Sequence, residues 1–216
     1  MSRTDRDTGT RLRRVNAVAA SAFIAGGSLF AIGAALAQGD VGGPMLPASV
    51  FLAGGVFFCI GGHASVVLAR KGPALEQIAA LVLFAGTLVF AINIVDSFIT
   101  ELTPRQADRL IWSPDMIGCA LFLVSGHLSM VVRSGRWYPC WRPAELGWWI
   151  DAVNQLGSVL FMVSAVASFV HTNGELTSEA IANWGTLAGA LCFAIAGVLQ
   201  LFQHPGAPAG AVAARI

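Results

Sequence analysis

Long apolar runs, broken by short stretches rich in charge, proline or glycine, set the pattern of this chain. Six of them are Val15 to Gln38, Pro47 to Ala69, Gln77 to Phe98, Pro114 to Val132, Leu146 to Val170 and Ser178 to Phe202. A helix needs about 20 mostly apolar residues to cross the hydrocarbon of a bilayer, so each run predicts a transmembrane helix. Helices satisfy their own backbone where water cannot. Pro47, Pro73, Pro114 and Pro143 stand where a first-turn residue needs no amide hydrogen, and Glu76, Asp115 and Glu145 follow close behind. Between the third and fourth spans, Thr103-Pro104-Arg105-Gln106 has the form of a capped start to a short interfacial helix reaching Leu110.

A second pattern lies inside the runs. The even-numbered spans carry Gly54-x3-Phe58-x3-Gly62, Gly118-x3-Phe122-x3-Gly126 and Gly189-x3-Phe193-x3-Gly197, and the odd-numbered spans carry Gly26-x3-Phe30, Gly86-x3-Phe90 and Gly157-x3-Phe161. Three residues further on stand Gly33, Asn93 and Ser164. Residues four apart share one helical face, so backbones can approach at glycine while phenylalanine fills the adjacent gap. The expected fold is therefore an all-α integral membrane protein of three repeated helical hairpins, residues 15–72, 73–135 and 143–204. A pseudo-threefold bundle with its axis along the membrane normal would satisfy that repeat.

Composition agrees: 56% of residues are hydrophobic and 12% charged, against about 25% charged in soluble domains. With a net charge of +1 there is no basic field for nucleic acid, and the lipid bilayer is the expected partner. Five arginines in residues 1–14, with Arg70, Lys71, Arg133, Arg136, Arg142 and Arg215, make up all but two of the 13 Lys and Arg residues. The positive-inside rule then puts both termini in the cytoplasm, with residues 1–14 as a basic cytoplasmic tail and 205–216 as a flexible one. Trp112 and Trp184 fall at the outer boundary, and Trp137, Trp141, Trp148 and Trp149 at the inner one, as headgroup anchors should. Cys59, Cys119 and Cys192 lie within spans and Cys140 in a cytoplasmic loop, so no disulfide is expected.

The third hairpin carries Asn154-Gln155-Leu156-Gly157-Ser158 leading to Phe161, then Asn183-Trp184-Gly185-Thr186 leading to Gly189, Phe193 and Gly197. Over residues 143–204 it resembles YrhK-like membrane domains. The other two hairpins share the Gly and Phe skeleton without the Asn-Trp-Gly start. The resemblance implies a bacterial cytoplasmic (inner) membrane location and no catalytic activity. Six helices in three repeats is also the plan of mitochondrial carriers, but their Pro-x-[Asp/Glu]-x-x-[Lys/Arg] bend is absent.

Ionisable residues inside spans are costly, which makes them candidates for function. His63, His127 and Asp151 lie at one depth, about 9–10 Å inside their charged loops at the helical rise. Gly62-His63-Ala64-Ser65 and Gly126-His127-Leu128-Ser129 are repeat equivalents, Val198 takes the third position, and Asp151, Asn154 and Gln155 share a face. Such a cluster can handle a proton or small solute, hold a metal or haem, or act as hydrogen-bonding glue between helices. A non-transporting scaffold, sensor or interaction subunit is the competing class. An outer set, Asn93, Asp96 and Ser97 with Asp115, would serve as a cation entrance or as ordinary helix-end chemistry. Gly-x-Ser-x-Gly, His-Glu-x-x-His, Walker and Cys-x-x-Cys motifs are all missing, so neither an enzyme nor a resident cofactor or metal is expected. Gly-rich faces such as Ala25-Gly26-Gly27 and Ala53-Gly54-Gly55 suit contacts with partner helices or a second copy.

Overall fold

Small residues on one helical stripe and phenylalanines one turn away decide how the helices close on each other. The computed structural model describes residues 3–99, 101–138 and 140–203, with side chains from residue 8 onward. Its helices are α1 (Arg3–Gln38), α2 (Met45–Ala69), α3 (Ala74–Asp96), the short α4 (Pro104–Ala107), α5 (Ser113–Ser134), α6 (Leu146–Ala167) and α7 (Glu179–Leu201). A π-helical turn, Asp108–Trp112, joins α4 to α5. Among the described residues, six helices are long and apolar enough to cross a membrane. The chain is an all-helical, multi-pass membrane protein.

The basic segment 1–14 is helical over its described part and continuous with α1 from Arg3, because only Gly9 and no proline interrupts it. Two expectations change. Thr103 caps α4 with the reciprocal Thr103–Gln106 box, yet the helix does not lie apart on the surface. It runs on as Pro104–Ser134, the fourth span. Pro114 accordingly does not start a helix. The π turn just before it widens the backbone where the proline ring would meet the preceding turn, and the Ser113 N–H and Oγ both donate to Asp108 O. Residues 205–216, including Arg215, lie outside the described residues.

Neighbouring helices run antiparallel in the order α1, α2, α3, α5, α6, α7, and α7 packs back on α1. The direction is set by contacts such as Phe23 on Gly61 and Phe51 on Gly33. Within each hairpin the stripe glycines face each other. A Cβ built on Gly26 would lie 3.0 Å from Gly54 O, one on Gly118 3.4 Å from Gly86 O, and one on Gly157 3.0 Å from Gly189 O. Each helix thus lets the partner's phenylalanine reach inward.

Six rings meet on the central axis in two layers. Phe30, Phe90 and Phe161 have centroids 5.6, 5.9 and 6.4 Å apart. Phe58, Phe122 and Phe193 form the other triangle at 5.4, 5.9 and 6.5 Å. The layers join through Phe30–Phe58 at 5.1 Å, Phe161–Phe193 at 5.3 Å and Phe90–Phe122 at 5.9 Å. Offset and edge-on pairs at such distances add stability beyond contact area, about 0.5–1.5 kcal/mol each.

The ring closes at Gly27, where a Cβ would come within 2.6 Å of Ala190 O and 2.8 Å of Ala194 N. Asn16 reinforces the same seam, donating to Gln200 O at 3.0 Å and accepting from Gln200 Nε2 at 3.1 Å. Because backbone obstructs Gly27, Gly27→Leu is expected to destabilise the bundle by about 3 kcal/mol, the upper part of the overpacking range. Gly9→Leu, with open space around the site, is expected to be neutral to slightly stabilising, since leucine favours the helix over glycine. Thermal unfolding of both variants in detergent checks this, and equal midpoints would refute the seam's importance.

Candidate functional site

Interior polar side chains stand toward both ends of the bundle, and the helix faces decide which of them meet. On α2 and α5 the Gly-x3-Phe-x3-Gly stripe points inward, and His63 and His127 each follow the last stripe glycine by one residue. One residue is a rotation of about 100°, enough to turn both away from the axis. His63 is exposed, lies in an apolar groove of about 580 Å³ between α2 and α3, and packs edge-on against Phe84 at 5.7 Å. His127 is half-buried and lines neither that groove nor the axial cavity. The two histidines and Asp151 do not converge.

Asp151 instead pairs with Arg133 Nε across the α5–α6 seam. Arg133 belongs to the last turn of α5, not to the following loop. Its guanidinium lies against Gly147, where any Cβ would collide with Nη1. Glu76 at the start of α3 is within electrostatic reach of both charges.

Asp151, Asn154 and Ser129 do share a space, a cavity of about 60 Å³ also lined by Ser125 and Ser158. That is room for one or two water molecules at about 30 Å³ each. Phe122 and Phe193 close it on the inner side. Several polar groups around it are already used: Ser125 Oγ donates to Ala79 O at 2.8 Å and Ser158 Oγ to Asn154 O at 3.0 Å. Ser65 Oγ donates to Gly61 O of its own helix at 2.9 Å. Gln155 is pressed against Gly126, with its Oε1 buried and without a donor among the described residues.

At the opposite end, the expected outer set comes together only in part. Asn93 Nδ2 donates to Asp115 Oδ1 at 3.1 Å, and Cys119 Sγ also approaches that oxygen. Asp96, the last residue of α3, stands outside this pair, and Ser97 Oγ caps Ile94 O at 2.7 Å. The same level in the other hairpins holds Phe51 against Gly33, and Ser164 bonded to Thr186 at 2.7 Å. The position is a helix-pairing contact with three chemistries. Asp108 Oδ1 accepts from Val170 N–H at 3.1 Å, tying the α6–α7 turn to the fourth span.

Sequence reasoning missed Arg133 as the partner of Asp151, the Gly147 cradle and the Asn16–Gln200 closure. The available signal was charge: an arginine at the end of one helix and an aspartate near the start of the next meet when the helices are antiparallel. Among the described residues, no three His, Cys, Asp or Glu side chains gather in a ligand set. Comparison with family models, with curated proteins and with solved structures gives no match.

Proposed function

We propose that this is a bacterial cytoplasmic-membrane protein with both termini inside, a pseudo-threefold bundle of three hairpins that serves as a non-transporting scaffold or interaction subunit. The observation that carries the reading is the double layer of six phenylalanines across the axis, which leaves the polar cavity a blind end. Dispersal of the histidines supports it: His63 faces an apolar groove and Asp151 is held by Arg133. The charge distribution supports the orientation. The threefold plan draws on matched contacts: Gly62, Gly126 and Gly197 each abut the residue two before the stripe glycine of the next hairpin, namely Phe84, Gln155 and Ile24. The relation to YrhK-like domains rests on the motifs of the third hairpin alone. No enzymatic step is assigned.

Handling of a proton or small polar solute is the second reading, favoured by the cavity holding Asp151, Asn154 and Ser129. Proton flux in proteoliposomes across pH 5–8 separates the two. The scaffold reading expects wild-type flux equal to that of protein-free vesicles, unchanged by His63→Ala with His127→Ala. Wild-type flux that is abolished by Asn154→Leu would overturn it in favour of transport.

A further inference from the structure

The loop between α5 and α6 combines features that the bundle itself does not need. The chain leaves α5 through Gly135 in the left-handed region, φ +66°, with its N–H on Val131 O at 2.8 Å. It then presents Trp137 and Trp141, 74% and 75% exposed. Arg136 lies over the Tyr138 ring and donates to its hydroxyl at 2.7 Å, so no carboxylate neutralises it among the described residues.

Beneath this loop Trp148 is only 8% exposed, yet its Nε1–H is buried with no acceptor among the described residues. The neighbouring indole is satisfied, Trp149 Nε1 donating to Pro143 O, and so is Trp112 at the other end of the bundle, donating to Ala165 O, both at 2.9 Å. A buried indole N–H ordinarily has a partner, and one without an acceptor among the described residues is a donor open to a water or a ligand oxygen. Trp148 lines a small cavity of about 10 Å³ together with Arg133, Arg142, Ser134, Cys140 and Asp151. That volume admits one oxygen-sized atom. Arg133 engages Asp151 through Nε and Arg142 engages Glu145 through Nη1 at 3.1 Å, so each guanidinium keeps further N–H groups in hand.

The cavity therefore has donors left over and too little room for more than one atom of a ligand. Its two ion pairs cancel, Glu76 adds a carboxylate within electrostatic reach of Arg133 and Asp151, and Arg136 follows on the loop with no carboxylate partner among the described residues. Trp141 stands 4.7 Å from the Trp148 ring, so an exposed indole adjoins the buried one. Indoles at such a position favour the headgroup layer, and planar guanidinium forks favour phosphate oxygens.

We propose that this loop and the start of α6 form a binding site for the phosphodiester of an anionic phospholipid. One phosphate oxygen accepts from Trp148 Nε1, Arg142 and Arg133 hold the phosphate, Arg136 adds a carboxylate-free guanidinium on the loop, and Trp137 and Trp141 seat the headgroup region. The site does not depend on the scaffold reading, since a transporter could carry it equally.

The test uses the full chain in detergent, titrated separately with phosphatidylglycerol, phosphatidylcholine and inorganic phosphate, with bound ligand counted by native mass spectrometry. Wild type is expected to retain phosphatidylglycerol in preference to phosphatidylcholine. Trp148→Phe, which keeps an aromatic ring but loses the indole N–H, and Arg142→Gln, on the loop, are each expected to lower phosphatidylglycerol affinity about fivefold, the effect of one lost hydrogen bond. Arg105→Gln at the other end should leave it unchanged. Elution volume and helical circular dichroism establish that each variant is folded. Undiminished phosphatidylglycerol binding in Arg142→Gln, equal retention of both lipids, or inorganic phosphate competing as well as the lipid would overturn the proposal.

Discussion

Phe122→Ala is expected to lower stability by about 3–5 kcal/mol, the range for a large aromatic deleted from a closed core. Phe122 is 2% exposed and touches the rings of Phe58, Phe90, Phe161 and Phe193. In a bilayer the gain from burying apolar surface is small, because lipid is as apolar as the core, so packing and dispersion carry helix association. A hole at the axis removes that packing from five helices at once. Phe122→Leu should lose less. Phe57→Ala, whose ring points outward beside the buried Phe58, should stay within about 0.5 kcal/mol of wild type. Thermal unfolding in one detergent ranks the three, and similar losses for Phe57→Ala and Phe122→Ala would refute the layered core.

The second large effect concerns the pair at the α5–α6 seam. Arg133→Ala is expected to cost about 3–5 kcal/mol, because it strands a carboxylate that is only 12% exposed. The loss is asymmetric. Replacing both partners, Arg133→Met with Asp151→Leu, removes the charge and fills the space, and should recover most of the stability. Unfolding midpoints of the single and double variants decide the matter: a double variant no better than Arg133→Ala would mean that the pair does more than neutralise Asp151.

The six spans were legible because hydropathy and length are strong signals, and α2, α3, α6 and α7 begin and end within three residues of the expected limits. The packing face was legible too, since Gly and Phe four residues apart can only lie on one stripe. The candidate cluster was not, although half of the signal was present. Depth along a helix follows from sequence spacing for His63, His127 and Asp151, but rotation around it decides which meet, and rotation sends His63 to the groove between α2 and α3. In the sequence Arg133 is one of several loop-flanking charges, and spacing alone does not pair it with Asp151. Pro114 has the pattern of a helix start because an isolated proline carries no sign of a π turn upstream. The Asn16–Gln200 contact joins positions 184 residues apart, and no local pattern specifies such a pairing.

That closure makes the protein's assembly sequential in a demanding way. The seam of α1 waits for the last helix to be synthesised, and the two aromatic layers remain incomplete until the third hairpin arrives. Contacts of such large sequence separation form late and expose their surfaces meanwhile. A nascent chain stopped before α7 would therefore present an unfilled axis and two bare glycine-lined flanks to the bilayer, the marks by which membrane proteases and insertion chaperones can tell an unfinished bundle from a finished one.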